Sequence, residues 1–245
     1  MFVVVWWLLA YFVNNPLTLA SPWSVLQEFT RLSSEPALRS QLVSGVEITL
    51  GSIFLGFGLS VIVGVPLGIL MGRFMVVDLF LDPWVNSWYS IPAIAFVPLT
   101  MNWTGITWVS AMITAFLVSV FSIIINVYTG VKNCNRLLVE SALSYGATQS
   151  QVMYKVILPA ALPGTMTGLR LGISRAVEGV IIAEMVFTVV GLGGMIDSSS
   201  DKLQLALSYS LMAVLAVICI GLSQGMKFIS SRVTSWKESD ANSDR

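Results

Sequence analysis

The sequence predicts an all-α integral membrane protein with about six transmembrane helices, and three observations carry that prediction. Apolar residues make up 56% of the 245 positions and charged residues only 11%, against about 25% charged in soluble proteins. Uncharged apolar stretches long enough for a ~30 Å hydrocarbon layer recur along the chain. Between two of them lies a polar interruption from Glu140 to Gly164. There a short amphipathic helix (Glu140 to about Tyr145), a turn at Gly146, a second helix and a stop at Leu158-Pro159 predict a protruding elbow. An elbow on the water side of a membrane is a handle for a soluble partner.

Composition also excludes functions. Formal net charge is zero, so a nucleic-acid partner has no electrostatic support. The chain has no histidine, which removes the commonest general base and the commonest metal ligand together. Cys134 and Cys219 lie far apart with neither metal nor CxxC spacing and read as free thiols. No Gly-x4-Gly-Lys-Ser/Thr run occurs to cradle phosphates. A membrane enzyme therefore has no candidate residues, and no metal or cofactor site is expected.

The elements follow in order. Met1 to Val13 is apolar and lacks the basic start of a signal peptide, so it reads as a first membrane helix ended by Asn14, Asn15 and Pro16. Ser21-Pro22 opens a helix from about Trp23 to Leu32, either amphipathic at the membrane surface or a packed connector. Pro36 to Gly72 is one long helix in which Gly64, Gly68 and Gly72 form a smooth stripe for close helix packing. Pro66 within it reads as a hinge or a static kink. Trp84 to Met101 is a broken or short span, interrupted at Ile91-Pro92 and Pro98. Ile106 to Tyr128 spans again, then Leu169 to Val190, which Gly191-Leu-Gly-Gly194 ends as a helix C-terminus and loop. Leu203 to Leu222 or a little beyond is the last span, and the tail from Lys227 to Arg245 is polar and expected to fray.

Sidedness follows from Lys and Arg. With the elbow cytoplasmic, ten of the thirteen basic residues lie inside and only Arg31, Arg39 and Lys202 outside. Both termini are then inside.

Glu140-Ser-Ala, three residues, Gly146 and, at the right distance, Leu158-Pro159 resemble the EAA loop of ABC importer permeases. Ser141 replaces the usual second-position Ala, and Val156 the usual Ile. Ser21-Pro-Trp-Ser-Val-Leu, Leu81-Asp-Pro, Ile91-Pro, Val97-Pro-Leu, Pro159-Ala-Ala-Leu-Pro-Gly, Gly168-Leu-Arg-Leu-Gly and Ala183-Glu-Met extend the likeness to the nitrate/sulfonate/taurine/bicarbonate group. The resemblance covers almost the whole chain. It implies one transmembrane permease domain over 1–245 of type I importer (MetI-like) architecture, with a coupling loop at about 131–163. It implies a homodimer in the bacterial cytoplasmic (inner) membrane, two cytoplasmic ABC ATPase subunits that hold ATP and Mg, and an external substrate-binding protein. The solute would be small and anionic. ATPase coupling would fall to Glu140, Ser141, Ala142, Tyr145, Gly146, Ala147, Gln151, Leu158 and Pro159. An ion-gradient-driven transporter or channel is the competing class, against which no inverted repeat is evident.

Charges inside the fifth apolar stretch call for partners, because a carboxylate there costs about 2.5–3.5 kcal/mol near the bilayer centre. Arg175 and Glu178 share a helical face and are expected to pair. Glu184 reads either as a residue of the translocation path or subunit seam, or as a satisfied packing carboxylate; Glu178 and Arg175 are candidates for the path as well.

Overall fold

The computed structural model describes residues 2–13, 18–186 and 191–234, and among them every regular element is a helix. Asn14, Asn15 and Pro16, the end of the expected span at Val190 and the tail beyond Thr234 lie outside the described residues. The order is α1 (Phe2–Val13), α2 (Pro22–Ser34), α3 (Pro36–Arg73), α4 (Met75–Tyr89), α5 (Ala93–Thr104), α6 (Trp108–Lys132), α7 (Arg136–Ser144), α8 (Gln149–Val152), a π-turn (Met153–Ile157), α9 (Leu158–Val186), α10 (Leu192–Asp201) and α11 (Leu205–Val233).

Among the described residues, four helices are long and apolar enough to cross a membrane: α3, α6, the continuous run Gln149–Val186, and α11. Even α6, with 25 residues, is about 37 Å long against a ~30 Å hydrocarbon layer. The two further expected spans are built from shorter pieces. α1 has 12 residues, and Trp84 to Met101 is divided between α4 and α5 by a break at Ser90–Pro92. Side chains such as Ile62, Val76, Phe80 and Val217 are largely exposed, as suits surroundings of lipid or partner rather than water.

Three expected boundaries are corrected. Leu158-Pro159 does not stop a helix, because the backbone passes through the π-turn, where the Leu158 N–H reaches back to the Met153 carbonyl. The wider turn takes Pro159 into the first turn of α9, where a proline is tolerated. Gly191-Leu-Gly-Gly194 forms no loop: Gly191 precedes α10, and Leu192, Gly193 and Gly194 are its first residues. The last helix runs on to Val233, so Lys227 to Val233 belong to α11 rather than to a frayed tail. The helix from Ser21-Pro22 forms as expected, with the Ser21 hydroxyl accepting the Ser24 N–H at 3.1 Å.

The chain forms two compact units interleaved in sequence, one of residues 1–55, 93–114 and 177–221, the other of 56–92, 115–176 and 222–245. In the first, Leu32, Leu192, Ile196 and Leu211 close a core against Leu38, Leu42 and Val46. The Ser210 hydroxyl ties α11 to the Val25 carbonyl of α2 at 2.9 Å.

In the second unit, the glycine stripe of α3 lies on α6. A Cβ at Gly68 would sit 2.7 Å from Val127 Cβ, and one at Gly72 2.6 Å from Val131 Cβ; at Gly64 the nearest atom is Ile123 Cγ2 at 3.0 Å. Without water to drive association, such close backbone approach gathers the dispersion that holds membrane helices together. α6 and α9 meet still more closely. A Cβ at Gly164 would stand 2.7 Å from Gly130 Cα, a backbone atom that cannot swing aside. Gly164→Ala is therefore expected to destabilise this unit by about 1–3 kcal/mol, the usual cost of overpacking. A thermal-unfolding shift in detergent measures it, and an unchanged midpoint refutes the close contact.

Candidate functional site

The elbow is a separately capped piece of structure. The Asn135 side chain accepts the Leu137 N–H at 2.9 Å and starts α7 at Arg136. Glu140 thus lies in the second turn of α7, not at the start of the helix as expected. Its Oε1 instead takes the Arg136 Nε–H at 2.7 Å, an exposed pair four residues apart.

α7 ends in a Schellman motif. The Gly146 N–H reaches the Leu143 carbonyl at 2.9 Å, and the Ala147 N–H the Ala142 carbonyl at 3.1 Å. This requires φ +81° at Gly146, a conformation open to glycine without penalty. Thr148 then starts α8 through a capping box: Gln151 N–H donates to the Thr148 hydroxyl at 3.3 Å, and Thr148 N–H to Gln151 Oε1 at 2.9 Å. The Gln151 side chain is committed to that cap.

Ala142 and Ala147 turn inward onto a small core of Val131, Val152, Ile157 and Ala161. Cys134 joins the same cluster, and burial pushes its thiol pKa up. Ser141 and Pro159 are exposed, Leu158 half-buried. Tyr145, at the end of α7, is 93% exposed. Leu137, Leu138 and Tyr154 add further exposed apolar surface. Sequence reading missed these three. Their signal was apolar side chains within an otherwise polar segment between two apolar spans.

The elbow is braced from below. Arg73, the last residue of α3, donates to Gln149 Oε1 at 2.6 Å. Asp78 Oδ2 on α4 receives the Tyr128 hydroxyl and the Lys132 ammonium of α6, each at 3.0 Å.

The other predicted charges fall elsewhere. Arg175 is exposed with its guanidinium over the Tyr89 ring, and Glu178 is exposed on the same helix α9. Glu184 is fully buried in the first unit. The Thr49 hydroxyl sits 2.9 and 3.0 Å from its two carboxylate oxygens, and the Gly193 N–H donates to Oε2 at 2.8 Å. Thr49 Oγ1 in turn accepts the Leu192 N–H at 2.9 Å. The first two N–H groups of α10, which has no side-chain cap of its own, are thus satisfied from α3 and α9. A Cβ at Gly191 would fall on the Glu184 carboxylate, so the chain passes there only as glycine.

Known proteins match this arrangement. The family model described as "binding-protein-dependent transport system inner membrane component" matches residues 64–234. The taurine transport system permease protein TauC of Escherichia coli is 30% identical, over 96% of this chain and 86% of that protein. An ABC transporter permease protein of Methanocaldococcus jannaschii is 31% identical over 96% of this chain and 89% of its own length. Among solved structures, inward-facing MetNI methionine ABC transporter has a chain that superposes with TM-score 0.72 at 22% identity, over 82% of this chain and 99% of that one, which shows the fold. Apolar spans, a capped elbow and these matches agree: the chain belongs to the binding-protein-dependent transport system inner membrane components, as an ABC transporter permease.

Proposed function

We propose that two copies of this chain form the translocation path of an ATP-driven importer for a small organic or inorganic anion. Two cytoplasmic ABC ATPase subunits seat against the elbow, and an external binding protein delivers the solute. The observation that carries this reading is the elbow itself. Its backbone is fixed by Asn135, the Schellman turn at Gly146 and the Thr148 box, while Tyr145, Leu137 and Leu138 stand out from it. A rigid projection with an apolar tip is built to be gripped. Glu140, Ser141 and Gly146 lie on or beside that tip, whereas Ala142, Ala147 and Gln151 hold its shape. ATP and Mg belong to the partner, since this chain has no P-loop. The solute class is supported by the relatives named for taurine and, in Bacillus subtilis, aliphatic sulfonates. The distribution of Lys and Arg supports a cytoplasmic elbow and cytoplasmic termini.

The test is co-expression with a candidate ATPase, purification on a tag carried by this chain, and ATP hydrolysis and uptake in proteoliposomes. Glu140→Lys sets a second cation beside Arg136, a cost of only about 0.3–0.5 kcal/mol to the helix. The variant is thus expected to insert normally yet to lose uptake and its link to hydrolysis. A chain that purifies alone and moves solute down an ion gradient without ATP overturns the reading.

A further inference from the structure

The first unit holds a cavity of about 600 Å³, within the range of small-molecule sites. The opening turns of α3 form one wall (Ser40 to Gly45), α10 and the start of α11 the other. Its lower surface is apolar, made by Leu38, Met195 and Leu207 among others. Seven polar side chains complete it: Ser40 and Ser199, whose hydroxyls donate to the Ala37 and Met195 carbonyls of their own helices, and a further five, Gln41, Ser44, Ser198, Lys202 and Gln204. None of the five has a side-chain hydrogen bond or ion pair within the described residues, so their bonding capacity is open to a ligand or to water.

Among the described residues, the one charged side chain lining the cavity is cationic, Lys202. The carboxylates of the region, Glu28, Glu47, Asp197 and Asp201, do not line it. Glu184 lies behind Gly191, and its oxygens are taken by Thr49 and Gly193. Arg31 is already paired with Glu28 and Glu35. An apolar surface beside one ammonium and several hydroxyl and amide groups matches an amphiphile: an anionic head on a short hydrocarbon chain.

We propose that this cavity is a binding subsite for a short-chain organic anion of the alkanesulfonate or carboxylate type, with Lys202 as its counter-charge. The proposal rests on the transport reading above and gives that reading a place in the chain. Glu184 and Thr49 act here as positioning residues, because they fix the N-terminus of the α10 wall.

The test places Ser198→Cys in a Cys134→Ala, Cys219→Ala background, in the permease–ATPase assembly reconstituted in nanodiscs. Labelling of that thiol by a maleimide is followed with ethanesulfonate, with ethylammonium or with ethanol. ATP-driven uptake by the same assembly is measured alongside. Ethanesulfonate alone is expected to protect the thiol. Lys202→Gln is expected to raise the protecting concentration about tenfold, the loss of one charge-assisted hydrogen bond, and Lys202→Arg to retain protection. Protection that survives Lys202→Gln unchanged, or is lost equally in Lys202→Arg, overturns the role given to the ammonium. No protection with ATP-driven uptake intact overturns the subsite and leaves the transport reading standing. Protection without any ATP-driven uptake does the reverse.

Discussion

Gly146→Val in the assembled transporter is expected to lower uptake by about a hundredfold or more, equivalent to roughly 3 kcal/mol of lost docking, while the chain still inserts. The reason is conformational before it is steric. No atom lies within 4 Å of a Cβ built at Gly146, so the free elbow has room for a side chain. It has no easy way to keep φ +81° with a β-branched residue there. Losing that angle breaks the paired bonds from Gly146 and Ala147 and releases the end of α7. Gly146→Asn separates the two causes, because Asn accepts the left-handed region far better than Val. Recovery with Asn assigns the loss to backbone shape. Equal loss with Asn assigns it to a partner surface that closes over the glycine. Full uptake with Val removes Gly146 from the coupling assignment.

The second large effect is expected at Glu184. Glu184→Ala strips the Gly193 N–H and the Thr49 hydroxyl of their acceptor inside a closed core. One buried unsatisfied donor costs about 1–3 kcal/mol, and the cavity left by the side chain adds to it. A total of roughly 3–5 kcal/mol follows, on the scale of breaking a buried polar network. Glu184→Gln keeps an acceptor for one donor and is expected to cost less than half as much. Thr49→Val leaves the Leu192 N–H without its partner and falls between them. Thermal unfolding in detergent ranks the three variants. If Glu184→Ala unfolds no earlier than Glu184→Gln, the network holds little.

The same network explains a limit of the sequence reading. A run of glycines after an apolar stretch ordinarily marks a helix end, and Gly191-Leu-Gly-Gly194 was an apt case. Here it leads into a helix, because the caps come from Thr49 and Glu184, which local pattern does not connect with Leu192. Local signals did better where the partners are local. Ser21-Pro22 starts α2 through a bond to Ser24, and the uncharged apolar runs became α3, α6 and α11. At the elbow, the Gly146 turn was legible from its residue type. The start of α7 was displaced to Arg136 because Asn135 is a better cap than any residue at Glu140. Leu158-Pro159 misled for a different reason. A proline stops a helix only if the backbone keeps an α pitch into it, and a π-turn is not announced by composition.

That π-turn also sets an angle. Each residue advances an α-helix by about 100°, so a wider turn at Met153–Ile157 changes the azimuth at which α8 leaves α9. The direction in which the elbow points therefore depends on how many residues the turn holds, and the contacts of Ala142 and Ala147 with Val131 and Ala161, with the Arg73–Gln149 bond, hold it there. A residue inserted into or deleted from the turn would rotate the elbow against that seat, so the length of the turn and the packing face of α9 have to be matched to each other.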